Sequence, residues 1–151
     1  MRILDPDAAA EHVAGLVHLD TQRARTGLDL TVGRIARLRG AGALDFGGSE
    51  FEAADTEIVE PELASPDDDY GWWELAPGSY LARYNENPDL PEGRLGLVTA
   101  LPRLQRAGAS HAALVVDGGG AAPEVLLRVG DAGCRIKENA RISRLTVLDA
   151  G

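Results

Sequence analysis

The stretch LAPGSYLARYNENPDLPEGRLGLVT, residues 75–99, shows the texture of the whole chain. Ala76-Pro77-Gly78 predicts a turn, because proline fixes φ and glycine adopts conformations closed to other residues. Ser79–Tyr84 predicts a strand, residues 87–93 a second connection, and Arg94–Thr99 another strand. Two short strands separated by a connection rich in proline and glycine are typical of an antiparallel β protein.

The same pattern continues on both sides of this stretch. Short apolar or alternating runs, separated by glycine and proline, predict further strands at 28–32, 34–38, 50–59, 112–116, 125–129 and 141–148. About nine short strands at spacings of about 8–12 residues are typical of an all-β sandwich or barrel. The length favours a single domain over residues 1–151.

Residues 1–19 differ from the rest and predict a helical lead-in. Asp5 or Asp7 can cap the helix, and the alanines at 8–10 are strong helix formers. Gly15 weakens the second half of this segment. We therefore expect one short N-terminal helix ahead of the strands.

Residues 60–71 are polar and acidic, with two prolines and the run Asp67-Asp68-Asp69. The composition predicts a solvated surface loop. A metal site is the alternative, but adjacent aspartates do not converge unless a loop folds around the ion, and no EF-hand spacing is present.

The chain carries 15 Lys+Arg against 24 Asp+Glu, a formal net charge of −9. Such a charge repels a phosphate backbone and an anionic lipid surface, so neither a nucleic-acid partner nor a membrane partner is expected. A small phosphorylated ligand stays compatible, because a few local arginines can override the average field. The single cysteine excludes an internal disulfide, and no apolar span or signal pattern is present, which predicts a cytoplasmic protein.

Three smaller signals carry little weight alone. Gly118-Gly119-Gly120 lacks the Gly-Lys-Ser of a P-loop and predicts a flexible turn. His12, His18 and His111 lack the spacing of metal ligands. The Trp72-Trp73 pair predicts a strand end with one ring in the core and the other at an edge or a subunit contact.

Taken together and in chain order, six segments resemble motifs of the dUTPase and dCTP deaminase superfamily. They are GLDLT at 27–31, LAPGSY at 75–80, LPEGRLG at 90–96, LQRAG at 104–108, Val116-Asp117 ahead of the glycine run, and NARISRL at 139–145. The resemblance runs over residues 20–149 and is greatest to the compact archaeal-type dUTPases.

This resemblance implies a distorted β jelly roll, the dUTPase-like β-clip, assembled as a homotrimer with its active sites between subunits. It implies hydrolysis of dUTP to dUMP and diphosphate with Mg²⁺, in which the protein positions the phosphates and neutralises their charge. Asp117 then matches the catalytic residue that orients or deprotonates the attacking water, and Asp29 lies near Mg²⁺. The nucleotide-binding residues that it implies are Arg103, Gln105, Arg106, Gly119, Arg141 and Arg144.

The chain departs from the family at positions that contact the ligand. Leu101-Pro102-Arg103 stands where the family has Arg-Ser-Ser, and a second register that matches Pro102-Arg103 to Pro-Arg removes both serines. Each missing hydroxyl is a hydrogen bond to a charged phosphate worth about 1.5–3 kcal/mol. Arg144 replaces a glutamine, and Gly118-Gly119-Gly120 replaces the aromatic residue that follows the catalytic aspartate.

Two hypotheses of function follow. The first is a divergent dUTPase, and the second is a catalytically degenerate trimer of the same fold with a nucleotide-binding, structural or regulatory role. Deamination of dCTP is not expected, because Arg128 stands where the deaminases carry the glutamate that activates water. An arginine cannot accept that proton.

Overall fold

The computed structural model describes residues 1–120 and 122–151, in which short strands dominate. In chain order the elements are β1 (Arg2–Ile3), α1 (Pro6–Ala10), β2 (Val13–Ala14), α2 (Leu19–Gln22), β3 (Arg23–Ala24), β4 (Gly27–Leu38), β5 (Thr56–Ile58), β6 (Trp72–Leu75), β7 (Gly78–Tyr84), β8 (Asn87–Pro88), β9 (Arg94–Ala100), α3 (Pro102–Arg106), β10 (Ala109–Ser110), β11 (Leu114–Val116), β12 (Glu124–Val129), β13 (Cys134–Lys137) and β14 (Arg141–Asp149).

One antiparallel sheet forms the body of the molecule, with the strand order β10-β12-β7-β4-β14-β9-β11. The central strand β4 has 12 residues. Its first half pairs with β14 and its second half with β7, and its register with β7 shifts between Val32 and Arg34. Such a shift bends a strand, so β4 joins the two parts of a curled sheet. The prediction of an all-β jelly roll is confirmed.

The core follows the alternation of buried and exposed residues along the strands. In β12, for example, Val125, Leu127 and Val129 are buried while the residues between them are exposed. A separate ribbon, formed by β6 and β13, closes the core with Trp73, which is 2% exposed. The indole of Trp73 donates to the carbonyl of Val59 at 2.8 Å.

The helical lead-in is shorter than the 1–19 segment predicted. Asp5 caps α1, as expected, but the helix ends after one turn and a half. The chain then pairs β2 with β8, and Gly15 adopts a φ of +81°. A Cβ atom at Gly15 would lie 2.3 Å from the carbonyl oxygen of Asn85, so this close approach needs glycine. Tertiary pairing has replaced the second half of the expected helix.

Three other local expectations differ from the structure. The strands predicted at 28–32 and 34–38 are the two halves of β4, and the strand predicted at 50–59 is reduced to β5. The sequence patterns did not predict α3 or β13. Helix α3 has 5 residues with only Leu104 buried, too few for a helical periodicity to be visible.

Most of the acidic segment 60–71 is exposed, as predicted. The carboxylate of Asp68 accepts a hydrogen bond from the Ser65 N–H at 3.0 Å and so closes a local turn. Within the described residues, none of the helices has the length and apolar character needed to cross a membrane.

Candidate functional site

Pairing of β4 with β14 brings Asp29 together with two of the predicted nucleotide-binding arginines. Asp29 lies opposite Arg144 in the register and is only 4% exposed. Its Oδ1 accepts from Arg144 Nε, and its Oδ2 from Arg141 Nη1, both at 3.0 Å. About a third of each arginine side chain is exposed (33% and 34%). The buried carboxylate of Asp29 therefore holds two guanidinium groups that reach the surface.

A buried polar network lies directly beneath this cluster. Glu86 is completely buried and accepts three hydrogen bonds, from the Thr31 N–H at 2.7 Å, the Thr31 hydroxyl at 2.6 Å and Gln22 Nε2 at 2.8 Å. Gln22 also donates to the backbone carbonyl of Asp29 at 2.9 Å. Burial raises the pKa of the Glu86 carboxyl, although its hydrogen bonds oppose the shift. The network fixes the backbone that carries Asp29.

Helix α3 places Arg103 beside Arg141. The N–H of Leu101 donates to the Ile142 carbonyl at 2.9 Å and so ties the start of α3 to β14. Arg103 and Arg141 line one cavity of about 400 Å³. Gln105 and Arg106, also predicted to bind the nucleotide, are exposed on α3 outside the lining of this cavity.

Asp117 lies elsewhere, at the end of β11. It is exposed and lines a different cavity of about 240 Å³, to which none of the arginines named above contributes. Gly118 has a φ of +89°, and a Cβ atom there would lie 2.2 Å from the Leu90 carbonyl oxygen. The Gly119 N–H donates to Asp89 Oδ1 at 3.2 Å and so fixes the turn. Within one chain, Asp117 and Gly119 therefore lie apart from Arg103 and Arg141.

A third group of side chains connects the two regions. Ser143, fully buried, lies between the Tyr84 hydroxyl at 2.6 Å and His111 Nε2 at 2.7 Å. His111 belongs to the loop between β10 and β11, so the contact ties the strand that carries Asp117 to β14. Burial raises the pKa of the Tyr84 hydroxyl, which stays protonated at neutral pH.

Sequence reasoning missed the buried side chains of both networks. Gln22 and Glu86 are polar residues in stretches with no motif, and Glu86 lies 55 and 64 residues from its two partners. Ser143 lies within the NARISRL motif, but nothing in the motif indicates a buried hydroxyl. His111 was noticed but only tested as a metal ligand. The one usable signal was an isolated glutamate between the predicted strand 79–84 and the predicted connection 87–93, which by itself is typical of a solvated residue.

The arrangement around Asp29 does not fit a resident magnesium ion. Both of its oxygens accept hydrogen bonds from guanidinium groups, whose positive charge repels a cation placed beside them. Across residues 1–120 and 122–151, no three His, Cys, Asp or Glu side chains meet in a group that could hold a metal ion. What the cluster offers is a pair of oriented guanidinium groups, a geometry suited to phosphate.

Two proteins of similar sequence carry the same name. A probable deoxyuridine 5'-triphosphate nucleotidohydrolase of Methanosarcina acetivorans is 35% identical to this chain over 131 residues, covering 85% of this chain and 73% of that protein. A protein of the same name from Aeropyrum pernix is 33% identical over 123 residues, covering 80% of this chain and 72% of that protein. No protein-family model matches the chain.

A solved structure shares the fold. The crystal structure of 2'-deoxycytidine 5'-triphosphate deaminase from Agrobacterium tumefaciens matches with a TM-score of 0.66 at 15% identity, covering 96% of this chain. The match takes in 47% of the deaminase chain, so the present chain spans about half of that length. At this identity the likeness shows the fold alone.

Proposed function

The chain belongs to the deoxyuridine 5'-triphosphate nucleotidohydrolase (dUTPase) family, and we propose that it hydrolyses dUTP to dUMP and diphosphate. The observation that carries the proposal is the Asp29–Arg141–Arg144 cluster, which contains two of the side chains that the resemblance implies bind the nucleotide. The identity of 35% to a relative of this name supports the same reaction.

Each group has a defined task in the proposed reaction. Water attacks the α-phosphorus of dUTP, and the bond between the α- and β-phosphates breaks. Asp117 accepts the proton that the water loses. Arg141 and Arg144 bind the phosphate oxygens and stabilise the negative charge that passes to the departing diphosphate. Asp29 orients both guanidinium groups before substrate arrives, so little reorganisation is needed during the reaction.

Magnesium enters this proposal only as a companion of the substrate. A Mg²⁺ ion bound to the phosphates of a nucleotide neutralises part of their charge. Mg²⁺ is commonly bound mainly through such phosphates and a few carboxylates, without an all-protein cage. The pairing of Asp29 with two arginines is compatible with a Mg²⁺ ion that arrives bound to the phosphates of the nucleotide.

The separation of Asp117 from the arginines supports a homotrimer. The two groups line different cavities of one chain, so a site that contains both would combine residues of neighbouring subunits. Closed rings of identical subunits place such heterologous contacts around a rotation axis. Light scattering coupled to size exclusion is expected to give three times the chain mass of 16.0 kDa, and a monomer at micromolar concentration would contradict the trimer.

The reaction is tested by release of diphosphate from dUTP in the presence of Mg²⁺. Asp117→Asn keeps the size of the side chain and removes its basicity, so we expect the rate to fall by about 10²–10⁴. Asp131→Asn is the matched control, since Asp131 is also an exposed turn aspartate. If the wild type binds dUTP without releasing diphosphate, the chain is a nucleotide-binding module and the hydrolase proposal is wrong.

A further inference from the structure

A positively charged cleft extends beyond the arginines of the proposed site. It lies between α3 and the outer face of the β6–β13 ribbon, and its volume is about 400 Å³. Its lining includes Trp72, Arg103, Arg135, Lys137 and Arg141. We propose that this cleft binds the phosphate chain of a nucleotide, with Lys137 and Arg135 as ligand-contacting residues. The identity of the ligand rests on the proposed function.

The register of the ribbon explains why these side chains share one face. Lys137 pairs with Trp72, and Arg135 with Glu74, two residues further along both strands. The alternate residue of β13, Ile136, is 4% exposed and points into the core. Arg135 and Lys137 therefore project together from the opposite face, towards solvent and towards α3.

The side chains of Arg135 and Lys137 both lie over the indole ring of Trp72. The Arg135 guanidinium carbon lies 4.5 Å, and Lys137 Nζ 5.5 Å, from the centre of a Trp72 ring. The negative face of an aromatic ring attracts a cation, so the indole holds both groups close to each other without neutralising them. The sequence predicts one ring of the tryptophan pair at an edge or a subunit contact, and in the structure the ring outside the core, Trp72, contacts two cations.

The charge of the cleft opposes that of the chain. The net charge is −9, yet four cations line this cleft with one carboxylate, Glu138, whose Oε2 accepts a hydrogen bond from the Gly71 N–H at 2.6 Å. Glu74 pairs with Arg135, and Asp29 with Arg141. For Arg103 and Lys137, the described residues supply no carboxylate within the 4.0 Å of a salt bridge. Two uncompensated positive charges beside two partly compensated ones favour a compact ligand with several negative charges.

A phosphate chain fits these features better than other anions. Arginine binds phosphate oxygens through a planar fork, while lysine contributes a compact point charge, and the cleft has both. The segment at 101–103 lacks the serines of the family, and the cations of β13 provide phosphate donors on the other wall of the same cleft. An extended nucleic acid would meet the negative field of the remaining surface.

Inorganic triphosphate is the probe, titrated into the wild-type protein at low ionic strength and followed by calorimetry. Lys137→Met keeps most of the aliphatic stem and removes the charge, and we expect it to weaken binding about tenfold, as the loss of one hydrogen bond to a charged group predicts. Arg2→Gln is the matched control, because Arg2 is an exposed cation on β1, outside the lining of the cleft, and we expect unchanged affinity. Lys137 is exposed, so its variant should fold like the wild type.

Three results would overturn the assignment. They are the absence of triphosphate binding by the wild type, equal affinities of Lys137→Met and wild type, and equal weakening by Lys137→Met and Arg2→Gln. Triphosphate binding requires no turnover, so it is independent of the dUTP assay. If the protein hydrolyses dUTP but fails the triphosphate test, only the assignment of the cleft is wrong. If it passes the triphosphate test without hydrolysing dUTP, only the proposed reaction is wrong.

Discussion

Replacing Asp29 by asparagine tests whether the arginine pair depends on a buried carboxylate. The substitution removes the charge that Arg141 and Arg144 share, and it turns one acceptor into an amide that faces a guanidinium donor. Removing one partner of a buried ion pair costs about 3–5 kcal/mol, because the other charge is left without compensation. Here the arginine side chains are about one-third exposed and can regain water, which reduces the expected loss to about 2–3 kcal/mol.

Urea denaturation followed by tryptophan fluorescence measures this loss, since Trp73 is buried in the folded protein. A fall of about 2–3 kcal/mol corresponds to a midpoint lower by about 0.7–3 M for a urea m value of about 1–3 kcal/mol/M. The matched control is Asp7→Asn, where Asp7 binds Arg23 at 2.7 Å but its side chain is 63% exposed. That surface pair should contribute far less than the Asp29 cluster, because solvent screens both of its charges.

The comparison between the two variants shows whether the ion pairs of Asp29 stabilise the fold. If Asp29→Asn lowers the free energy of unfolding by no more than Asp7→Asn, the desolvation of Asp29 cancels its attraction to the arginines. In that case the cluster contributes no stability. The variant should also bind dUTP more weakly, because Arg141 and Arg144 lose the contact that orients them.

Two further substitutions test the networks beneath the site, each read from the urea midpoint. Glu86→Gln places an amide among three donors, including both groups of Thr31, and should cost about 2–4 kcal/mol. Because the pKa of Glu86 is raised in the folded state, wild-type stability should fall, relative to this variant, as pH rises above the unfolded pKa of about 4.3. Equal pH slopes would contradict the shift. Tyr84→Phe removes one hydrogen bond to Ser143 and should cost about 1 kcal/mol, whereas no change would mean that the bond contributes nothing.

The fold was largely predictable because turn residues delimit its strands. The strands predicted at 79–84, 94–99 and 125–129 match β7, β9 and β12 to within one residue at each end. Proline and glycine act through local sterics, so their effect can be read without tertiary information. The N-terminal helix was overestimated because alanine propensity is weak beside the pairing of β2 with β8.

The candidate site was predictable only in part. The resemblance indicated Asp29, Arg141 and Arg144 as functional, but not that the carboxylate would bind both arginines. That contact depends on the register between β4 and β14, strands more than 100 residues apart in sequence. Glu86 and Ser143 acquire their roles only through such pairings, which no local pattern reveals.

The position of Asp117 relative to Arg144 leads to a last prediction, which assumes the proposed reaction. Val116 of β11 pairs with Gly96 of β9, and Gly96 also pairs with Val147 of β14. Strand β9 therefore lies between β11 and β14. Strand spacing of about 4.8 Å and a rise of about 3.4 Å per residue then place Asp117 and Arg144 roughly 16 Å apart. Arg144 also leans towards Asp29 on β4, away from β11.

We therefore infer that a site that uses both residues draws them from different subunits, and mixed assemblies can test this. Asp117→Asn and Arg144→Ala should each lose most of the diphosphate release alone. When equal amounts are unfolded and reassembled together, about one-quarter of the sites combine an intact Asp117 from one subunit with an intact Arg144 from its neighbour, as random pairing across a heterologous interface requires. Mixtures of either variant with itself serve as controls. Recovery of about a quarter of wild-type diphosphate release would confirm a shared site, whereas no recovery from assemblies shown to be mixed would mean that each chain acts with its own residues.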